Sequence, residues 1–349
     1  MVFVGPDHPS ILHRGWCDRR DPACSRLVWS GTGVSFRFEG QFLSAELDGE
    51  GMIEVLLDGT LLRLLGPDLS SVSVELAHDL PAGPHVVELR KRTEPVAGTV
   101  SFEGFSLDPS GRALPPSEDP SPFLLFVGDS ITCGYGNLAP SEFHPFAPET
   151  EDVFRSFAGI ACRELSANFH ASAWSGKGLL RNFDRDSSPT MPQLWGLVDP
   201  NEPMSAGGSR RVPDLAVVNL GSNDVFHDDP DWTEFVGAAI SLGRDLRGAF
   251  PGLPLVWLDG PLLSDTGLKD EHGRSRPVLT RVRSALDEAC RVLASDGPTW
   301  RFSLSAVVPG EPYGADYHPG LDRHRINGLE LAAFLRTLPL GIQGFQSVD

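Results

Sequence analysis

FLLFVGDSITCGYGN, residues 123–137, opens with five apolar residues and turns at Gly128 into a run of small and polar ones. A short apolar run with aromatic and β-branched members, closed by glycine, reads as a buried strand, of the kind found in parallel sheets. The polar burst that follows stands where open α/β sheets place their chemistry, outside the carboxyl end of a strand. One segment thus predicts both a fold class and the position of a site.

The rest of the chain after this segment keeps the same rhythm. ANFHASA (167–173), DLAVVNL (214–220), PLVWLD (254–259) and WRFSLS (300–305) are further strand candidates, and helical patterns lie near 151–165, 232–249, 276–294 and 323–336. Strands alternating with helices argue for a parallel sheet covered on both faces. The Pro-, Ser-, Gly- and Asp-rich stretch from Asp184 to Pro213 is too long for an ordinary connection and is expected to form a loop beside the site.

Upstream the period is two. In GVSFRFEG, Val34, Phe36 and Phe38 alternate with Ser35, Arg37 and Glu39, and similar runs recur at MIEVLLDG, VSVELAHD, HVVELRKR and GTVSFEGFSL, separated by Gly, Pro and Asp turns. This pattern predicts an antiparallel β-sandwich. DPSGRALPPSEDPSP follows, with four prolines from Pro115 to Pro122 and almost no apolar content. The predicted organisation is therefore a β-sandwich over residues 1–110, a Pro-rich linker over 111–122 and an α/β domain over 123–349.

Composition narrows the partners. With 47 acidic and 29 basic side chains the net charge is −18, which repels phosphate backbones and anionic lipid surfaces, so neither nucleic acid nor a membrane is expected. The N-terminal MVFVGPDHPSILHRGW has no basic start followed by an apolar core, and no run reaches the roughly 18 apolar residues of a membrane span. A cytoplasmic protein is the expectation. Of the five cysteines, Cys17 and Cys24 are close enough in sequence to pair, although a reducing compartment would keep both as thiols.

Several residues could carry chemistry. A strand-to-helix turn would lift the Ser130 hydroxyl out of the sheet edge among backbone N–H groups, although serine after aspartate is also common as a plain helix cap. DLAVVNL runs into GSND, so Asn223 would reach the same edge with an amide able to donate to an oxyanion. ANFHASA runs into WSGKG, where Gly176 lets a backbone N–H approach a ligand closely. In GADYHPG, Asp316 stands two residues before His318, and Pro319 biases His318 away from helix. In an extended or turn segment both side chains would lie on one side, Asp316 holding the imidazole that takes the Ser130 proton. The bland alternative is an exposed turn.

Other features admit two readings each. Asp224, His227, Asp228 and Asp229 in NDVFHDD could form a metal cluster or a solvated loop, and no ligand spacing favours the metal. Trp174, Tyr317 and Trp195 could stack on a sugar ring or pack in the core. Cys133 could be a reactive thiol, though a small buried hydrophobe is the default. Lys177 and Arg181 could line a pocket or solvate it.

Taken in order, GDSITCGYGN, SAWSGKGLLRNF, VVNLGSND and DYHP resemble the four signature blocks of the SGNH or GDSL hydrolase superfamily. More narrowly, the chain from WSGTGVSFRFEG to the last helix, with SSPTMPQLW in the long loop, resembles carbohydrate esterase family 2. That resemblance implies a jelly-roll-like antiparallel β-sandwich followed by a flavodoxin-like SGNH parallel-sheet domain, and removal of acyl groups, chiefly acetyl, from sugar hydroxyls. It implies Ser130 as nucleophile, the backbone N–H groups of Ser130 and Gly176 with the Asn223 amide as oxyanion hole, His318 as general base and Asp316 as its orienting acid. Asp316 and His318 are one residue closer than in most of the superfamily, as in the narrower family, some members of which dispense with the acid. Trp174 and Tyr317 are candidate sugar contacts. The substrate implied is an acylated carbohydrate or glycoside, with no cofactor and no metal. Two other outcomes use the same blocks: an acyltransferase that moves the acyl group onto a sugar or glycosylated natural product, and a carbohydrate-binding protein with an inert site.

Overall fold

A computed structural model describes residues 1–186, 188–202, 210–342 and 345. Ser187 and residues 203–209, parts of the stretch expected to form a loop beside the site, lie outside the described residues. The chain divides into two compact units, Met1–Pro120 with Leu197–Arg211, and Ser121–Gly196 with Val212–Asp349.

The first unit is all β. Its strands are β1 (Val2–Val4), β2 (Ile11–Arg14), β3 (Ser25–Leu27), β4 (Gly33–Glu39), β5 (Leu43–Gly49), β6 (Ile53–Leu57), β7 (Thr60–Leu65), β8 (Val72–Ala77), β9 (Pro84–Lys91), β10 (Val100–Leu107) and β11 (Arg112–Ala113). They form a five-stranded sheet ordered β1-β10-β5-β8, with β3 also on β10, and a six-stranded sheet ordered β11-β4-β9-β6-β7, with β2 also on β4. The two sheets face each other across an apolar core, where the Phe36 ring of β4 stacks on Phe105 of β10 at 5.0 Å. Alternation holds for most of β4: Val34, Phe36 and Phe38 are fully buried and Arg37 and Glu39 only half-buried, but Ser35, on the outward side of the pattern, is buried as well.

Two boundaries differ from the sequence reading. The Pro-rich stretch begins inside the sandwich, because Arg112 and Ala113 pair with Glu39 and Phe38 of β4, and Asp119 accepts the Arg14 guanidinium. Much of the long 184–213 stretch also belongs to this unit: the buried Trp29 donates its indole N–H to Leu197 O at 2.8 Å, and Arg26 pairs with the fully buried Asp199 at 2.8 Å. Proline and serine content marks irregular backbone here, but it does not say which unit satisfies that backbone's hydrogen bonds. All five cysteines are free thiols, Cys17 lying within reach of the Arg14 and Gly33 carbonyls.

The second unit is α/β. Its strands β12 (Phe123–Gly128), β13 (Asn168–Ala173), β14 (Leu215–Asn219), β15 (Leu255–Asp259) and β16 (Thr299–Ser303) form one parallel sheet in the order β13-β12-β14-β15-β16. The chain therefore starts inside the sheet, steps out to one edge and returns to the other side of β12, the flavodoxin-like order with its switch point beside the first strand. The helices are α1 (Ser130–Cys133), α2 (Phe157–Glu164), α3 (Met191–Leu194), α4 (Ser222–Val225), α5 (Trp232–Ala249), α6 (Val278–Leu293) and α7 (Leu321–Thr337).

Burial on two faces explains why β12 is continuously apolar. Leu124 and Phe126 join a core with Phe157 and Ala161 of α2 and Leu331 and Leu335 of α7. Leu125 and Val127 point the opposite way and are also fully buried. On that face, a Cβ on Gly243 of α5 would meet Leu293 of α6 at 2.6 Å and Leu255 of β15 at 3.3 Å. Across the sheet α2 and α7 touch through Gly328, where a Cβ would lie 2.6 Å from Ile160. No described helix is long and apolar enough to cross a membrane.

One buried histidine ties this core to pH. His324 of α7 accepts the Phe157 N–H at the start of α2 through Nδ1 at 3.1 Å, and burial pushes its imidazole from 6.5 down to about 3. The native state holds it neutral, whereas the unfolded chain takes up a proton below 6.5. Its stabilisation is therefore complete above 6.5 and is lost as pH falls toward about 3. The loss is at most about 1.4 kcal/mol per pH unit. His324→Gln retains an acceptor but does not titrate, so urea unfolding of the variant should lose less stability over this window than the parent chain. Equal slopes would show that His324 is not held neutral.

Candidate active site

The sheet brings three strand ends together. In the parallel register Gly128 of β12 lies opposite Ala173 of β13 on one side and Asn219 of β14 on the other. Ser130, Gly176 and Asn223 follow these three positions within two to four residues. They come to one edge because strand pairing leaves them nowhere else to go.

Ser130 is the first residue of α1. Asp129 caps this short helix, its side chain accepting the Ile131 N–H at 3.0 Å, and Gly134 closes it in the left-handed region. The turn is tight: a Cβ on Gly128 would lie 2.1 Å from Thr132 Oγ1. Ser130 is 7% exposed, sunk at the edge rather than projecting from a free cap.

His318 arrives on a loop that is templated by the segment after α1. The Ala315 N–H donates to Gly136 O at 3.0 Å, the Asp316 N–H to Glu142 O at 3.1 Å, and the Gly314 N–H to His318 O at 2.9 Å. With the loop fixed there, His318 Nε2 lies 2.8 Å from Ser130 Oγ, and Nδ1 lies 3.1 Å from the Ala315 carbonyl. A carbonyl can only accept, so Nδ1 carries the proton and Nε2 presents a lone pair to the serine hydroxyl. Burial lowers the pKa of this imidazole, partly offset by the Ala315 carbonyl and the Asp316 charge. The ring is therefore neutral near pH 7, with its basic nitrogen on Ser130.

The expected contact between Asp316 and His318 is not made. Asp316 adopts a left-handed conformation at φ 49°, and its exposed carboxylate accepts the Tyr135 hydroxyl at 2.8 Å. The 3₁₀ turn over Ala315–Tyr317 turns the Asp316 side chain aside and offers the Ala315 carbonyl to Nδ1 instead. Tyr135 in turn lies against the imidazole, ring centroids 4.4 Å apart, and stacks on Phe146 at 4.4 Å.

Just beyond the end of β13, Gly176 has φ 77°, a conformation that favours glycine. Among the described residues no acceptor takes the backbone N–H of Ser130 or of Gly176. Asn223 donates through Nδ2 to Lys177 O at 2.8 Å, which leaves the amide its second N–H. These are three donors on three strand ends.

NDVFHDD is not a metal cluster. The Asp224 carboxylate is fully buried and accepts the N–H groups of Leu179, Leu180 and Arg181 at 2.9, 2.7 and 2.9 Å. Asp228 pairs with Arg181, and Asp229 pairs with Arg276 and Arg281. His227 belongs to an aromatic group, its ring 5.0 Å from Phe183, which lies 4.8 Å from Phe226.

Of the expected sugar contacts, Tyr317 is 54% exposed and edge-on to the still more exposed Phe143, whereas Trp174 is half-buried with Lys177 Nζ 5.6 Å above its ring. Trp195 is core, packed near Phe250, and Cys133 is fully buried. Sequence reasoning missed Tyr135 and the Ala315 carbonyl, and weighed Asp224 only as a metal ligand or part of a solvated loop. Tyr135 lies inside a quoted block and could have been weighed, but a backbone carbonyl leaves no mark on a sequence.

Comparison with known proteins agrees with this architecture. The family model described as the N-terminal domain of carbohydrate esterase 2 matches residues 14–116, and that of the GDSL-like lipase/acylhydrolase family matches 126–326. The cellulase/esterase CelE of Acetivibrio thermocellus is 31% identical over 333 residues, 95% of this chain, and the match spans only 40% of that relative's length. An acetylxylan esterase/glucomannan deacetylase of Cellvibrio japonicus is 25% identical over 96% of this chain and 90% of its own length. A family two carbohydrate esterase from Clostridium thermocellum, solved in complex with cellohexaose, superposes with a TM-score of 0.83 at 30% identity, covering 93% of this chain and 98% of that one. The chain belongs to carbohydrate esterase family 2, a family of carboxylic ester hydrolases of the SGNH/GDSL type.

Proposed function

We propose that this chain is a serine esterase that removes acetyl groups from sugar hydroxyls through an acyl-enzyme. The observation that carries the reading is the 2.8 Å contact between Ser130 Oγ and His318 Nε2 at the edge of three strand ends. A neutral imidazole with its lone pair on a serine hydroxyl is a nucleophile and base already in place.

In this mechanism His318 takes the Ser130 proton as Oγ attacks the acetyl carbonyl. The carbonyl oxygen becomes an oxyanion and is held by the Ser130 N–H, the Gly176 N–H and the second N–H of Asn223, donors that no described residue engages. The imidazolium then gives its proton to the departing sugar oxygen, the acetyl group stays on Ser130, and His318 activates a water to release acetate. The Ala315 carbonyl does what the acid does in a triad: it fixes the tautomer and accepts from the imidazolium. Asp316 contributes its charge and, through Tyr135, the packing of the ring.

An acetylated carbohydrate is the substrate class that fits. Exposed aromatic faces stand near both halves of the site, Tyr317 and Phe143 on the histidine loop side, and Phe183 on the loop that carries Gly176 with Phe226 at the end of α4 beside it. Such faces suit the apolar side of a sugar ring. Relatives named as an acetylxylan esterase/glucomannan deacetylase and as a family two esterase in complex with cellohexaose point to the same class. No metal or cofactor enters these steps.

The test is acetate release from peracetylated xylose, with and without an excess of a glycoside acceptor, by the parent chain and by Ser130→Ala. Acetate that depends on Ser130 and ignores the acceptor is the expected result. Acyl-serine that accumulates until an acceptor alcohol arrives would instead identify an acyltransferase. Ser130→Ala and His318→Ala should each lower kcat by at least about 10³-fold, whereas Asp316→Ala should lower it by less than about tenfold, because the carbonyl remains.

The pH profile follows from the same geometry. The base must be neutral, and its pKa lies below the ordinary 6.5, so the acid limb of kcat/KM should fall at a pH under that value. Asp316→Asn removes a charge that favours the imidazolium and should move the limb further down. A limb that moves up would contradict the geometry.

A further inference from the structure

We propose that Asp224 is a positioning residue for the oxyanion hole: its buried carboxylate clamps the loop that presents the Gly176 N–H to the helical turn that presents Asn223. The inference rests on the reading of Gly176 and Asn223 as oxyanion donors given above.

Three observations carry it. The first is burial with full use of both oxygens. Asp224 is 0% exposed, Oδ2 accepts from Leu179 N, and Oδ1 accepts from Leu180 N and Arg181 N. Charge-assisted bonds to successive N–H groups are the means by which a buried carboxylate is held, and they fix the backbone that supplies them. Burial raises the pKa of this acid on balance, and the N–H groups of Leu179, Arg181 and Leu180 offset part of that rise.

The second is adjacency. Asn223 and Asp224 are successive residues of α4, so their side chains leave the helix on different bearings. Asn223 reaches Lys177 O, and Asp224 reaches residues 179–181. Four points on one short loop are thereby tied to one helical turn, and Gly176 precedes the first of them. Arg181 closes the clamp from outside, Nε donating to Asp224 O at 2.8 Å and Nη2 to Asp228 O at 2.7 Å.

The third is the space left by glycine. A Cβ on Gly178 would lie 1.8 Å from Arg181 O and 2.8 Å from Asp224 Oδ2, so the loop folds around the carboxylate with no room for a side chain. A segment that holds Gly176 at positive φ and Gly178 in such a cradle has few conformations to spare. The carboxylate selects among them.

Functionally, the spacing between the Gly176 N–H and the Asn223 amide is set by a residue that touches neither substrate nor Ser130. A hole that is displaced by a fraction of an ångström still admits the ester, but it binds the oxyanion poorly. Loss of the clamp should therefore appear in the transition state and not in ground-state binding.

The experiment compares the parent chain with Asp224→Asn and, as a perturbation from the loop side, Gly178→Ala, each alone and combined with Asn223→Ala. Titration with a fluorophosphonate counts competent Ser130, so kcat is expressed per competent site and misfolded protein drops out. On p-nitrophenyl acetate each single variant should lose about 10- to 100-fold in kcat with KM changed by less than about threefold. Affinity for a phenylboronic acid, whose serine adduct places an oxygen in the hole, should fall in parallel with kcat/KM, and the acid limb of the pH profile should stay where His318 puts it. In the Asn223→Ala background the same substitutions should lower kcat by less than about threefold, since the hole is already damaged. Losses of equal size in both backgrounds, or an unchanged kcat per competent site, would overturn the proposal. If Asp224→Asn does not fold, the Gly178→Ala pair decides on the same criteria. Undiminished turnover of Ser130→Ala or Asn223→Ala would instead remove the catalytic reading on which the proposal stands, an outcome separate from failure of the clamp.

Discussion

The parallel pairing of β12 with a neighbour on each side is the constraint on which the rest of the second unit depends. Because Gly128 is in register with both Ala173 and Asn219, the chain leaves the sheet at three adjacent points on one edge. A side chain at Gly128 would collide with Thr132, so the first exit is a tight turn straight into α1, and Ser130 has a single place to go. The two flanking exits supply Gly176 and Asn223. The site is thus a property of the topology: a chain that begins inside its sheet and then builds outward on both sides opens a crevice beside its first strand.

The histidine reaches that crevice by a different logic. No strand delivers it; the loop from Gly314 to Gly320 is laid against the backbone that follows α1, at Gly136 and Glu142. The segment that carries Ser130 therefore also locates His318, and Tyr135 in that same segment packs on the imidazole. An orienting carbonyl in place of a carboxylate has a physical consequence. A carbonyl has no charge to desolvate and cannot titrate, so it fixes the tautomer wherever the ring is neutral, but it stabilises the imidazolium less than an ionised acid would. The remaining charge effect falls to Asp316, which acts at a distance and from the solvent side.

Much of this was legible in the sequence, and the parts that were not share a cause. The five parallel strands and α5, α6 and α7 fall almost where apolar runs and helical periodicity put them, because burial on both faces writes itself into composition. Ser130, Gly176 and Asn223 sit in blocks whose strand-end positions are predictable, His318 sits in a late loop, and the structure brings Ser130 and His318 into contact. What failed depended on the partners of polar groups. The 111–122 stretch lends Arg112 and Ala113 to a sheet, Leu197–Arg211 joins the β-rich unit, Asp224 is swallowed by a loop, and Asp316 turns toward Tyr135. A residue type states what a side chain can bond; backbone conformation decides what it meets. Asp316 is the sharpest instance, since left-handed φ at Asp316 and Tyr317 goes with a neighbouring carbonyl in place of the carboxylate.

That exchange bears on why Asp-x-His can replace a longer spacing. A carboxylate two residues before the histidine has only a short reach to Nδ1. With one intervening residue the backbone must use that short reach otherwise, and a 3₁₀ turn places the carbonyl of the residue before the acid, Ala315, over the ring nitrogen. The loop can be that short because Gly136 lets it approach: a Cβ there would lie 2.3 Å from Ala315 Cβ. Spacing, turn and glycine are then one solution to one geometric problem, in which the orienting acceptor is supplied by the main chain. Asp316 stays two residues before the histidine, but its carboxylate bonds Tyr135, whose ring lies against the imidazole.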